Sequence, residues 1–210
     1  MNYKKKEDLT FKIITLGNAG VGKTSIIKRY SYGIFDNNSL PTIGFEFSVK
    51  KIKLKNGIEI NLKLIDTNGQ EKYRALSTSY LKHADGVFFV FALNNKESYD
   101  ELTKWIEIFN DNNQNIENIG KYIVGNKSDL KEKNINEDEI KDFSKKNGMD
   151  YFQTSAKDDI NIEKIFQEMG EFLYLNYIKL GRGKDNQIKL EAKSDKKKKK
   201  CCQSLVPPDV

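Results

Sequence analysis

The stretch "LGNAGVGKTS", Leu16–Ser25, sets Gly17, Gly20 and Gly22 ahead of Lys23 and Thr24, directly after the apolar run "FKIITL", Phe11–Leu16. Gly17, Gly22, Lys23 and Thr24 fit the spacing G-x-x-x-x-G-K-[ST]. Between a strand and a helix, such glycines let the backbone turn its N–H groups inward around phosphate oxygens, and the positive helix end adds to the attraction. The nine residues Gly17, Asn18, Ala19, Gly20, Val21, Gly22, Lys23, Thr24 and Ser25 are therefore a candidate phosphate cradle. Lys23 would reach the β- and γ-phosphates, and the Thr24 hydroxyl would ligate Mg²⁺.

Working outward, strand-like apolar segments alternate with helix-period segments from residue 11 to residue 178, the order of an α/β fold with a mainly parallel sheet. Phe11–Leu16 is the first strand, and a helix begins near Lys23. In "FSVKKIKLKNGIEINLKLID", Ile52 and Leu54, then Ile58, Ile60, Leu62 and Leu64, alternate with polar residues on either side of Asn56-Gly57. Asn-Gly predicts a tight type I′ hairpin, hence one antiparallel pair. Three more strands are expected at Val87–Ala92, Lys121–Gly125 and Tyr151–Gln153, which makes a six-stranded sheet with one antiparallel edge strand. Helix-period stripes at Tyr99, Leu102, Trp105, Ile106 and Phe109, and at Ile162, Ile165, Phe166, Met169, Phe172 and Leu173, read as core faces of helices covering both sides.

The 210 residues suit one domain with one core. The longest apolar run, "VFFVFAL", falls far short of the roughly 20 residues a spanning helix needs. The basic N-terminus lacks the apolar stretch of a secretory signal, so a cytoplasmic location is expected. Residues 1–8 are expected to be flexible, with Lys4–Lys6 a solvated charge run. The net charge of +6 is concentrated in residues 181–210, which carry nine Lys and Arg against four Asp and Glu. A folded nucleic-acid binder would spread its basic residues over one face, so no nucleic acid partner is expected. Residues 179–210 read as a disordered basic tail. It holds the only two cysteines, Cys201 and Cys202, next to the lysine run Lys196–Lys200. Adjacent cysteines staple no fold. Five lysines attract an anionic leaflet, and lipid on the cysteines would add the second signal that stable anchoring requires.

Two further segments choose the nucleotide. "GNKSDL", Gly125–Leu130, ends a predicted strand, where open α/β sheets bind ligands. A carboxylate at Asp129 accepts from both N1–H and the exocyclic amino group of guanine, an arrangement adenine does not offer. Asn126 would brace the loop, and the Lys127 stem would cover the base. "TSAK", Thr154–Lys157, follows the next strand and strengthens the reading. His83, the only histidine, reads as a solvated surface residue.

The ordered set "GNAGVGKT", Thr42 in "PTIGFEF", "DTNGQE" at Asp66–Glu71, "NKSD" and "TSAK" resembles the small GTPases of the Ras superfamily over roughly residues 9–178. "TIGFEF", "YRALSTSYLKHADG", "SYDELTKW" and the terminal cysteine pair are most similar to the Rab branch. The resemblance implies the small G-protein fold with GTP or GDP and Mg²⁺ bound. It implies a switch domain acting as a monomer, with an exchange factor, a GTPase-activating protein and effectors as partners. It assigns Thr42 to the γ-phosphate and Mg²⁺, Asp66 to the metal through water, Gly69 to the γ-phosphate and Gln70 to the attacking water. It makes Phe35 the aromatic beside guanine and Ala156, flanked by Ser155 and Lys157, a backbone donor to O6. It implies lipid on Cys201 and Cys202 and a peripheral place on the cytosolic face of an internal membrane.

Three positions depart from the family pattern. Ile65 replaces a Trp that forms an effector-facing aromatic cluster with residues matching Phe47 and Tyr80. Asn68 stands where Ala is usual, and "QSLVPPDV" follows the cysteines. Asn68 motivates a second reading, a nucleotide-loaded scaffold with little hydrolysis. A third, a small-molecule kinase, would need an arginine-rich lid, whereas the arginines are Arg29, Arg74 and Arg182 alone.

Overall fold

The structure is a computed structural model that describes residues 9–37, 45–67, 81–114 and 116–181. The chain falls into two units, Met1–Leu173 and Tyr174–Val210. In chain order the described elements of the first are β1 (Thr10–Leu16), α1 (Lys23–Tyr32), β2 (Phe45–Lys53), β3 (Glu59–Thr67) and β4 (Gly86–Ala92). Then come α2 (Lys96–Asp100), α3 (Leu102–Asn112), β5 (Gly120–Asn126), α4 (Glu137–Lys146), β6 (Asp150–Gln153) and α5, which spans Ile162–Lys179 and runs into the second unit. There α5 closes at Gly181, whose N–H donates to Ile178 O at 2.9 Å from a left-handed φ of 71°.

The six strands lie in the order β2-β3-β1-β4-β5-β6, with β2 antiparallel to β3 and every other pair parallel. This is the expected six-stranded, mainly parallel sheet, with the antiparallel strand at its edge. Strand β4, "GVFFVFA", is buried along its whole length because helices cover both faces, the condition under which a strand reads as an unbroken apolar run. On one face Phe89 meets Phe109 of α3 edge-on, with centroids 5.8 Å apart. On the other, Phe88 meets Phe166 of α5 at 5.1 Å, and Tyr30 of α1 stacks on Phe166 at 3.8 Å. Gly86 and Gly120 are register partners, and a Cβ on either would come within 2.8 Å of Met169 Sδ. Two bare positions side by side thus make the dent that the methionine fills. Edge strand β2 carries Lys50, Lys51 and Lys53, charges that discourage pairing with another chain.

Three expectations need correction. The hairpin after β2 is not a type I′ turn, because that turn requires positive φ at both central residues and Asn56 is not among the positive-φ residues. Instead Gly57 N–H donates to Leu54 O and Leu54 N–H to Ile58 O, both at 2.8 Å, which makes a three-residue loop with Gly57 alone left-handed at φ 83°. Asn56 contributes through its side chain, whose Oδ1 accepts from Ile58 N–H at 3.0 Å. The stripe from Tyr99 to Phe109 is wholly buried as expected but is split between α2 and α3 at Glu101. Phe172, expected in the core face of α5, is 39% exposed, while its neighbours Met169 and Leu173 are buried.

Candidate functional site

The carboxyl ends of β1, β3, β5 and β6 carry the site residues, at the point where the chain leaves β1 with β3 on one side and β4 on the other. The loop after β1 lies directly on β4: a Cβ on Gly17, at φ 142°, would sit 2.0 Å from Val90 O. Only glycine fits there. Gly22 caps α1 without a side-chain hydrogen bond, and no acidic residue stands in the first turn. The helix therefore presents its positive end to the loop without a counter-charge from its own first turn. Val21 is buried, Asn18 and Ser25 are half-buried, and Ala19 and Gly20 are exposed.

Lys23 folds back over this loop. Its Nζ donates to Gly17 O at 2.8 Å and Asn18 O at 2.7 Å, and burial pushes the amine down to about 8, against the opposing pull of Asp66. Thr24 Oγ1 donates to Asp66 Oδ2 at 2.5 Å. Asp66 is 1% exposed at the end of β3, and burial raises its pKa despite the Thr24 bond and the Lys23 charge. Its Oδ1 is buried without a hydrogen-bond partner among the described residues. A buried carboxylate oxygen left open beside a hydroxyl is a hard-oxygen donor set, and it fits Mg²⁺. Thr67 Oγ1 to Thr15 O, 2.6 Å, and Thr15 Oγ1 to Ile65 O, 3.3 Å, pin the end of β3 to β1 and hold Asp66 in place.

At the end of β5, Asn126 braces more than its own loop. Its Nδ2 donates to Val21 O at 2.9 Å, while its Oδ1 accepts from Thr154 Oγ1 and Ala156 N–H, each at 3.3 Å. One buried side chain thus ties the glycine-rich loop to the loops carrying Asp129 and Ala156. Ser155 Oγ donates to Asp129 Oδ1 at 2.6 Å and accepts from Asp158 N–H at 3.0 Å. Lys127 is held left-handed at φ 66°, and burial lowers its pKa against the raising effect of Asp129. Phe35 is half-buried beyond α1. Thr42, Asn68, Gly69, Gln70, Tyr80, Cys201 and Cys202 lie outside the described residues.

Two residues with site contacts were not singled out by motif. Trp105 Nε1 of α3 donates to Asn18 Oδ1 at 2.7 Å, although its place in an apolar stripe marks it only as core. Arg29, read from sequence merely as one of three arginines, reaches Ala156 and Lys157. No local pattern signals either contact, since both partners lie far off in sequence. Two other positions have simple surroundings. Ile65 is 1% exposed within the core, while its strand partner Phe47 is 45% exposed. His83 is exposed, as expected.

Comparison with known proteins agrees with this geometry. Residues 12–174 match the Ras family model. The chain is 39% identical over 173 residues to Ras-related protein Rab-11B of Dictyostelium discoideum, covering 82% of this chain and 77% of that one. It is 35% identical to Rab-1 of Theileria parva, with 80% and 76% covered, and 34% identical to Rab-10 of Diplobatis ommata, with 80% and 83% covered. The family match over most of the chain and these relatives, on this sheet, make the chain a member of the Ras family of small GTPases, of its Rab branch.

Proposed function

We propose that the cleft between Lys23 and Asp129 binds GTP or GDP with Mg²⁺, and that the bound nucleotide sets the state in which a regulator of vesicle traffic is read by its effectors. The observation that carries this is Asn126, whose side chain fixes the phosphate cradle and the base loops as one site. In this reading the α1 N-terminus and Lys23 bind phosphate oxygens, and the anion replaces the carbonyls that now hold the amine. Thr24 and, through water, Asp66 hold Mg²⁺, which when bound supplies positive charge against the β- and γ-phosphates. Asp129 accepts from N1–H and the amino group of guanine, with Ser155 orienting its carboxylate. Phe35 and the Lys127 stem flank the base, and Ala156 and Lys157 face O6. Thr42 and Gly69 would hold the γ-phosphate, and Gln70 would orient the water that attacks the γ-phosphorus, breaking its bond to the bridging oxygen of GDP and giving GDP and inorganic phosphate.

As a Rab-type small GTPase the chain hydrolyses GTP, relies on an activating protein to do so quickly, and works with exchange factors and effectors. The scaffold reading motivated by Asn68 is not favoured. No described helix is long and apolar enough to cross a membrane. In the proposed arrangement residues 9–178 form a monomeric switch domain and residues 179–210 a tether whose Cys201 and Cys202 carry lipid at the cytosolic face of an internal membrane. The test of the site is Asp129→Asn. Losing a charged acceptor for two donors lowers GTP affinity about a hundredfold or more and lets xanthosine triphosphate compete. Unchanged GTP affinity in competition binding would refute the base assignment.

A further inference from the structure

Arg29 lies on α1, outside every nucleotide motif, yet its guanidinium spans two loops of the site. Nε donates to Ala156 O at 2.8 Å, Nη2 to Lys157 O at 3.0 Å and Nη1 to Gly33 O at 2.8 Å. All three bonds go to backbone carbonyls and none to a carboxylate. The same guanidinium stands 5.8 Å from the centroid of the Phe35 ring. Ala156, 2% exposed, is consequently held from two sides, its carbonyl by Arg29 and its N–H by Asn126 Oδ1 at 3.3 Å. A trans peptide is planar with its C=O and N–H opposed, so gripping Ala156 O also fixes the direction of the Lys157 N–H.

We propose that Arg29 is a positioning residue for 6-oxopurine recognition, locking the Ala156–Lys157 turn and Phe35 into one rigid wall of the base pocket. The role requires arginine's planar fork, because a lysine ammonium lacks the fixed set of donors that serves three carbonyls at once. It rests on the guanine-nucleotide reading above and adds to it a residue that need not touch the nucleotide.

The test compares the full chain with Arg29→Ala, Arg29→Gln and Arg29→Lys, each loaded with GDP or with 6-thio-GDP, in which a weakly accepting sulfur replaces O6. Release rates are followed by displacement, and circular dichroism checks the fold. Arg29→Ala should release GDP about tenfold faster than wild type, with Arg29→Lys in between. The wild-type preference for GDP over 6-thio-GDP should shrink in the variants, because a loosened turn no longer presents the Lys157 N–H squarely to O6. If Arg29→Ala does not fold, Gln and Lys, which keep the stem, carry the same comparison. Wild-type GDP release in a folded Ala or Gln variant, or equal acceleration for both nucleotides, would overturn the proposal. A wild-type protein that held GDP no better than ADP would instead overturn the guanine reading itself.

Discussion

Single residues at this site are constrained by the protein packed around them. Gly17 and Gly20 both have positive φ, 142° and 73°, but a Cβ would meet Val90 O at 2.0 Å in the first and no atom within 4 Å in the second. Gly20→Ala should therefore cost only left-handed strain, about 1 kcal/mol, or roughly 3 °C in Tm for a domain of this size. Gly17→Ala must also move a backbone carbonyl, and should lose more than about 6 °C under the same excess of GDP. Equal losses in thermal unfolding would show that the approach to β4 is not what fixes Gly17. The spacing of the glycines was legible as a motif, whereas the difference between them depends on where β4 lies. Asp66 shows the same division. Its motif names it a metal-associated acid, but only its burial at the end of β3 leaves one carboxylate oxygen buried and open beside the Thr24 hydroxyl.

Whole elements add a contact that couples core to site. Helix α3 packs on β4 through Phe109 and, one turn earlier, sends the Trp105 indole to the Asn18 side chain. Trp105→Phe keeps most of the apolar packing and removes about 1 kcal/mol of hydrogen bond, so GDP release should quicken about fivefold while Tm falls by roughly 3 °C. Asn18→Ala should give the same factor, and the double variant no more than either alone. Additive effects in that cycle would sever the link between α3 and the loop. Other elements were less readable. The charge pattern of α4, acidic in its first turn and basic in its last, with Asn136 Oδ1 accepting from Asp138 N–H at 2.9 Å, gives it clear ends. Its short apolar content hides it from a search for stripes. The Asn56-Gly57 pair located the hairpin correctly but not its loop length, because a turn dipeptide fits more than one register and the pairing of Lys53 with Glu59 selects among them.

For the whole molecule, the open question is where the switch is held. Wild type and the Cys201→Ser, Cys202→Ser double variant should differ in tail mass by the attached lipid and in membrane fractionation, with the variant moving to the soluble fraction. An unmodified wild-type tail and equal solubility of both forms would remove the anchor. The sequence by itself determined the six strands and the one antiparallel pair, and it marked the candidate phosphate and guanine segments, because those depend on local periodicity and on residues clustered within a few positions. Tertiary structure alone decided that Asn126 joins Val21 to Ala156 across 105 and 30 residues of chain, that Arg29 of α1 reaches the carbonyls of Ala156 and Lys157, and that Phe172 lies exposed. Those are relations between distant segments, created when β1, β5 and β6 align their carboxyl ends, and no run of neighbouring residues encodes them.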